Sequence, residues 1–174
     1  MRAPMRHIIS ILLQNEAGAL ARVAGMFAAR GYNIDSLSVA PTLDPAVSRL
    51  TLVTSGSDAV IEQIIKQTRK LIDVVEIADL SSAEHVESEL VIVKVDLPPQ
   101  QANHFIHCVR DHHAITLDGT DNTRTAQLAG SAAQIEAFIA ALSKFSTVLE
   151  LVRSGVAAVA IGHQVVTPGA TSIP

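Results

Sequence analysis

The chain has 174 residues, 48 % of them hydrophobic and 17 % charged, a balance that excludes intrinsic disorder and suits one ordinary domain or two small ones. Its formal net charge is -4, and its 13 basic residues form no cluster, so a phosphate backbone is not an expected partner. The apolar runs "IISILL" and "VAAVAI" are strand-length, far short of the roughly 18 residues of a membrane span, and the single cysteine, Cys108, excludes an internal disulfide. Arg2 and Arg6 precede "IISILL", but Ser10 interrupts that run and it is too short for a secretory signal, so the chain reads as cytosolic, with no membrane and no nucleic acid among its partners.

In chain order, His7 to Gln14 reads as a strand, nearly continuous in apolar residues as a central buried strand is. A helix follows from about Gly18 to Arg30, with Leu20, Val23, Ala24, Phe27 and Ala28 in one stripe of a 3.6-residue period. Gly31 stands where a left-handed residue ends a helix. "NIDSLSVA" alternates, with Leu37 and Val39 on one face; "PTLDPA", holding Pro41 and Pro45, is a turn; "VSRLTLVT" returns as the second arm of a hairpin. A second helix follows Ser57, with Ile61, Ile64, Ile65, Thr68 and Ile72 in a stripe and Glu62 placed one turn before Lys66 for an ion pair, and "VVEIADL" closes a β-α-β-β-α-β unit.

The second half repeats this order through "ELVIVKVDL", a helix from about Gln100 to His112, "AITLDG", "TRTAQLAG", "AAQIEAFIAALSKF" and "VLELVRSG". At one constant, ungapped offset Gly56 meets Gly130, Ser57 meets Ser131, Ile61 meets Ile135, Glu62 meets Glu136, Ile65 meets Ile139, Lys70 meets Lys144, Val74 meets Val148 and Glu76 meets Glu150. The expected fold is therefore α+β: two tandem ferredoxin-like βαββαβ units, each an antiparallel sheet with two helices on one face. The first covers residues 1–80 and the second 89–162, joined by a polar linker at 81–88 that contains "SSAEHVE" and followed by a tail at 163–174. The sheet faces without helices, to which Thr51 and Val53 and the set Val91, Val93 and Val95 are assigned, are too apolar for full exposure, so pairing of units or of chains is expected.

This strand order also serves RNA recognition, but that use needs aromatic residues on the central strands, and with four Phe, one Tyr and no Trp, Phe27, Phe105 and Phe138 fall on helix stripes instead. No glycine-rich phosphate loop, dinucleotide fingerprint or nucleophile turn is present, and no residue is assigned a catalytic role. "NHFIHCVRDHH" puts His104 four residues before Cys108 and His107 four before Asp111, the spacing at which two ligands meet one metal on a helix. The two pairs lie on partly different faces and no second ligand pair appears elsewhere, so no metal is assigned.

One stretch carries the chemistry of a site. In "NEAGALARVAGMFAARGYNIDSLSV" a tight turn delivers the chain to a helix N-terminus, where free N–H groups and the positive end of the dipole attract a carboxylate. Gly18 lets a ligand approach that backbone, and Asn15 and Asn33 flank the helix with amides that bear both an acceptor for an ammonium and donors for a carboxylate. A turn glycine, a helix-start asparagine and a post-helix asparagine account for the same residues without any ligand, and on the residues alone that account is the simpler.

At these residues the chain resembles the regulatory (small) subunits of acetolactate synthase, also called acetohydroxyacid synthase, over about residues 5 to 162. The first unit resembles an ACT domain through "NEAGALARVAGMFAARGYNIDSLSVAPT", "SRLTLVTSG" and "IEQIIKQTRKLIDVVEI", and the second resembles the family's carboxyl-terminal domain through "ELVIVKV", "QLAGSAAQIEAFIAAL" and "ELVRSGVAAVAIG". The resemblance implies a non-catalytic subunit of branched-chain amino-acid biosynthesis that binds the catalytic (large) subunit, activates it and confers feedback inhibition, usually by valine. It implies no cofactor in this chain and a catalytic partner that carries thiamine diphosphate, magnesium and FAD. It also implies a homodimer with the effector at the interface of two ACT domains, a position that falls on Asn15, Gly18, Ala19, Leu20, Asn33 and Ile34, with assembly and catalytic-subunit contact assigned to the second unit. "PPQQANHFIHCVRDHHAITLDGTDN" departs from the family pattern. The alternative keeps the ligand site and changes the partner: a stand-alone ACT-type amino-acid sensor that regulates another enzyme or a transcription factor, which co-purification with a thiamine-diphosphate enzyme separates from the first reading.

Overall fold

Ile8 to Leu13 are buried without a break, which places their strand, β1 (Met5–Gln14), at the centre of a sheet. The computed structural model describes residues 5–168; residues 1–4, with Arg2, and residues 169–174 of the expected tail lie outside it. β1 pairs antiparallel with β3 (Val47–Gly56), from Met5 opposite Gly56 to Gln14 opposite Val47, and on its other side with β4 (Val74–Asp79). β2 (Ser36–Pro41) joins only β3, so the order is β2-β3-β1-β4 with β2 at an edge. The helices α1 (Ala19–Ala29) and α2 (Asp58–Thr68) bury Val23, Phe27, Ile61 and Ile64 against the β1 residues Ile9, Ile11 and Leu13.

The alternate β1 residues, Ile8 and Leu12, face the other way and pack with Val53, Ala78, Val156, Ala158 and Val166. The helix-free face of the first sheet is therefore covered by the chain's own later residues rather than left for a partner. Val166 belongs to the expected tail, and its carbonyl accepts a bond from Arg49 Nη2 at 2.9 Å. The second sheet contains β5 (His85–Asp96), β6 (Ile115–Asp118), β7 (Thr123–Gly130) and β8 (Thr147–Ala160) in the order β6-β7-β5-β8, the first sheet's order repeated, with helices α3 (Ala102–Asp111) and α4 (Ala132–Leu142). The compact units are Glu87–Gly155 on one side and, on the other, the described residues up to Val86 together with those from Val156 onward. Among the described residues no helix is long and apolar enough to cross a membrane.

Several expectations hold in detail. Gly31 takes φ 68° at the end of α1, Glu62 Oε1 meets Lys66 Nζ at 2.5 Å, and Phe27, Phe105 and Phe138 are core residues on helices. Three need correction. Ile72 is 86 % exposed, because α2 stops at Thr68 and the helical period carries no meaning past that point. Val91, Val93 and Val95 lie in the helix-side core with Phe105, Phe138 and Leu142, not on the helix-free face, since alternation defines two faces without saying which one the helices cover. "NIDSLSVA" contributes only Ser36 onward to β2, and Asn33 to Asp35 form its approach.

The repeated Gly-Ser pairs mark the starts of α2 and α4. Ser57 and Ser131 both take extended backbone at the N-cap, but only Ser131 closes a capping box, with Gln134 N donating to its hydroxyl and Gln134 Oε1 accepting from Ser131 N. At the third position of α2 stands Val60, which has no such group to return. Ser131→Ala is expected to lower the unfolding free energy by ~1 kcal/mol and Ser57→Ala by only a few tenths of a kcal/mol, read from urea melts of each variant.

Candidate effector site

After Gln14 the chain turns within four residues. Asn15 N donates to Ala46 O at 2.8 Å, its side-chain Nδ2 donates to Pro45 O at 2.9 Å, and its Oδ1 accepts from Ser48 Oγ at 3.0 Å. Asn15 thus ties the β1–α1 turn to the β2–β3 turn, with one donor and one acceptor of its amide committed to that tie. Gly18 is the N-cap of α1 with φ 89°, a left-handed backbone that an L side chain rarely adopts. Among the described residues no side chain caps the helix, and no acidic residue lies in its first turn; Ala19 N donates to Glu16 O at 3.3 Å, so the N–H groups of Leu20 and Ala21 and the positive end of the dipole remain for something else.

A clamp holds this helix start in place. Arg22 Nη2 donates to Asp73 Oδ1 at 2.8 Å, Arg22 Nε donates to Asp73 Oδ2, and the Asp73 backbone carbonyl accepts from Gln14 N at 2.8 Å. The Arg22 guanidinium holds the Asp73 carboxyl below its ordinary range, its hydrogen bonds exceeding the opposing effect of desolvation. A Cβ at Gly18 would stand 3.0 Å from Arg22 Nη1, so the glycine answers both a backbone and a packing requirement.

Between α1 and the end of β2 lies a pocket of about 260 Å³, lined by Asn15, Ala19, Leu20, Val39, Pro41 and Ser48 among others. Leu20 and Val39 present apolar surface there, 38 % and 42 % exposed. Of the residues singled out in sequence, Asn15, Ala19 and Leu20 line this pocket and Gly18 adjoins it as the N-cap. Asn33 and Ile34 do not line it. Asn33 O accepts from Thr54 Oγ1 at 2.6 Å, near the opposite end of β3 from Ser48, a separation of roughly 20 Å along the strand at about 3.3 Å per residue. Its Nδ2 donates to Asp35 Oδ1 at 2.6 Å, which leaves Oδ1 as an outward acceptor.

Sequence reasoning missed the Arg22–Asp73 clamp and the pocket wall formed by Val39, Pro41 and Ser48. The histidine-rich helix is otherwise engaged: His104 packs on Phe145 with ring centroids 6.0 Å apart, His107 Nδ1 lies 2.8 Å from Arg110 Nη2, and Cys108 is buried in the core. Among the described residues no three metal-ligating side chains converge.

Two ferredoxin-like units in tandem, the first with an uncapped helix start beside an edge-strand pocket, define a protein of the ACT type. Residues 9–76 match the model of the AHAS small subunit-like ACT domain, and residues 88–162 match that of the small subunit of acetolactate synthase. The chain is 41 % identical over 161 residues to the acetolactate synthase isozyme 3 small subunit of Escherichia coli, covering 92 % of this chain and 99 % of that one, and 42 % identical over 160 residues to the acetolactate synthase small subunit of Haemophilus influenzae, covering 92 % and 98 %. The crystal structure of the acetolactate synthase small subunit from Thermotoga maritima superposes with a TM-score of 0.83 at 31 % identity, over 92 % of this chain and 99 % of that one. The chain belongs to the family of acetolactate synthase small subunits.

Two outcomes test the site's construction. Gly18→Ala is expected to cost about 1–2 kcal/mol in urea unfolding, because the left-handed backbone and the contact with Arg22 both oppose a methyl group. Asp73 has a folded pKa below its unfolded value, so its contribution to stability is present above the unfolded carboxylate range near pH ~4 and is lost as pH falls through the lower folded value. The melting-temperature gap between the unmodified chain and Asp73→Asn is therefore expected to be constant from neutral pH down to about pH 5 and to close on further acidification.

Proposed function

We propose that this chain is the regulatory subunit of an acetolactate synthase, which activates a catalytic large subunit and makes it sensitive to feedback by a branched-chain amino acid, valine foremost. The observation that carries the reading is the pocket beside α1, set at the edge strand of a unit whose family is that of the small subunits. Two chains pairing through β2 about a two-fold axis run those strands antiparallel, so the start of β2 in one chain lies next to the end of β2 in the other. Val39 and Pro41, at the end of β2, line the pocket, and Asn33 and Ile34 immediately precede its start. The same two-fold axis that closes the edge strand therefore delivers Asn33 and Ile34 of one protomer to the Asn15–Leu20 turn of its partner.

Each group of an amino acid then has a counterpart. The N–H groups of Leu20 and Ala21 receive the carboxylate, the Asn33 Oδ1 across the interface accepts from the ammonium, and Leu20, Val39 and Ile34 surround an aliphatic side chain. The chain contributes no cofactor; thiamine diphosphate, magnesium and FAD belong to the catalytic partner. A ligand that touches both protomers binds one relative orientation better than another and so couples occupancy to the contact with the catalytic subunit.

Calorimetric titration with L-valine is expected to show saturable binding, weakened about tenfold or more in Asn33→Ala, whose missing acceptor removes one charge-assisted hydrogen bond. Full valine affinity in that variant contradicts the site, and failure to activate an acetolactate synthase large subunit contradicts the regulatory role.

A further inference from the structure

At the other end of β1, between α2 and β4, the first unit holds a larger pocket of about 470 Å³. Met5, Ile61, Ile65 and Ile77 supply an apolar wall, and the carboxylates of Asp58, Glu62 and Asp79 outnumber the one cationic lining residue, Arg69. Glu62 is engaged by Lys66, and Arg69 Nη2 reaches Ile77 O at 3.3 Å and Glu76 Oε1 at 3.8 Å.

His7 enters this pocket from β1 with a side chain only 8 % exposed. Its Nδ1 lies 3.2 Å from Asp79 Oδ2, and Asp79 Oδ1 is fixed in turn by Ser81 N at 2.9 Å. A carboxylate only accepts, so Nδ1 carries the proton, and in the neutral ring Nε2 is an acceptor. That Nε2 is buried and has no hydrogen-bond partner among the described residues, a costly state when nothing fills it. It faces Asp58 Oδ1 at 3.9 Å, beyond hydrogen-bonding reach. Asp58 itself is 70 % exposed.

We infer that this pocket is a second ligand site and that it takes an aliphatic primary ammonium, seated between His7 Nε2 and Asp58 with its hydrocarbon body on the isoleucine wall. With the ring neutral, two facing acceptors require a guest with at least two donors; water has two and an ammonium three, and the acidic lining and the isoleucine wall favour the ammonium. Its charge is the one the acidic lining favours, and the full negative charge of Asp58 outweighs the half-charge at the start of α2. An anion meets three carboxylates, and a divalent metal finds no third protein ligand. The source of the group is an amine or an amino acid, the second with its carboxylate on Arg69. The site is separate from the effector pocket and does not rest on that reading.

The test follows the His7 ring signals by NMR in the full chain, assigned by their loss in H7Q, during titration with isobutylammonium chloride and with L-valine, against sodium isobutyrate and sodium chloride at matched ionic strength. Saturable movement of the His7 signals with isobutylammonium is expected, with the apparent Kd raised about tenfold or more in Asp58→Asn, a substitution at an exposed side chain. Saturation by valine as well, also weakened by Asp58→Asn, assigns the amino-acid source, and saturation by isobutylammonium alone assigns the amine. Movement equal to that with isobutyrate, movement indifferent to Asp58→Asn, or no saturable movement with either ammonium overturns the inference.

Discussion

Among the described residues the outward N–H and C=O groups of β2 have no strand beside them in the order β2-β3-β1-β4, and the pocket next to α1 lies at that edge. An edge strand of six residues carrying Leu37 and Val39 and ending at Pro41 is short enough to resist indiscriminate pairing and apolar enough to favour one specific partner. In the proposed dimer a second copy related by a two-fold axis satisfies the backbone groups and buries the apolar rim together. The pocket then becomes part of the interface, which is what a ligand must occupy if its binding is to alter how two chains meet.

Within one chain the interior already holds the pocket's fixed half in position. Asn15 pins one turn to another, and the Arg22–Asp73 pair anchors the first turn of α1 to the loop that leads into β4, across 51 residues of sequence. Gly18 sits where these requirements meet, so its missing side chain serves both the backbone angle and the room for Arg22. In the proposed site this half is held by the chain's own hydrogen bonds, and preorganisation of this kind reduces the ordering cost of binding.

Much of the fold was legible because its signals are local. Val23 and Phe27 of the α1 stripe, Gly31 at its end and the ungapped match of Gly56-Ser57 with Gly130-Ser131 each depend on a few neighbouring residues, although Ala19 and Met26 complete the buried face of α1 where the stripe places Leu20 and Ala28, which are exposed. What escaped depends on register or on distance along the chain. Val91, Val93 and Val95 alternate as expected, yet their face is decided by where α3 and α4 lie. Ile72 continues a period after the helix that gave the period meaning has ended. The pocket wall at Val39 and Pro41 follows from the pairing of Pro41 with Ser48 and of Gln14 with Val47, which brings the end of β2 beside the Asn15 turn. Asn15 and Asn33 were paired by sequence pattern and family resemblance; one chain holds them at opposite ends of β3, and a site containing both requires a partner.

That requirement gives the most direct test. Two variants are made, Asn33→Ala to remove the residue before β2 and Leu20→Asp to place a charge on the pocket wall, and L-valine binding is measured by calorimetry for each alone and after the two are mixed and allowed to exchange protomers. A site shared across the two-fold axis predicts that each variant alone binds poorly and that mixed dimers regain one intact site, built from the Asn15–Leu20 turn of the Asn33→Ala chain and the Asn33 of the Leu20→Asp chain. Mixed samples that bind no better than their components, under conditions where exchange is demonstrated, contradict a site built from two chains.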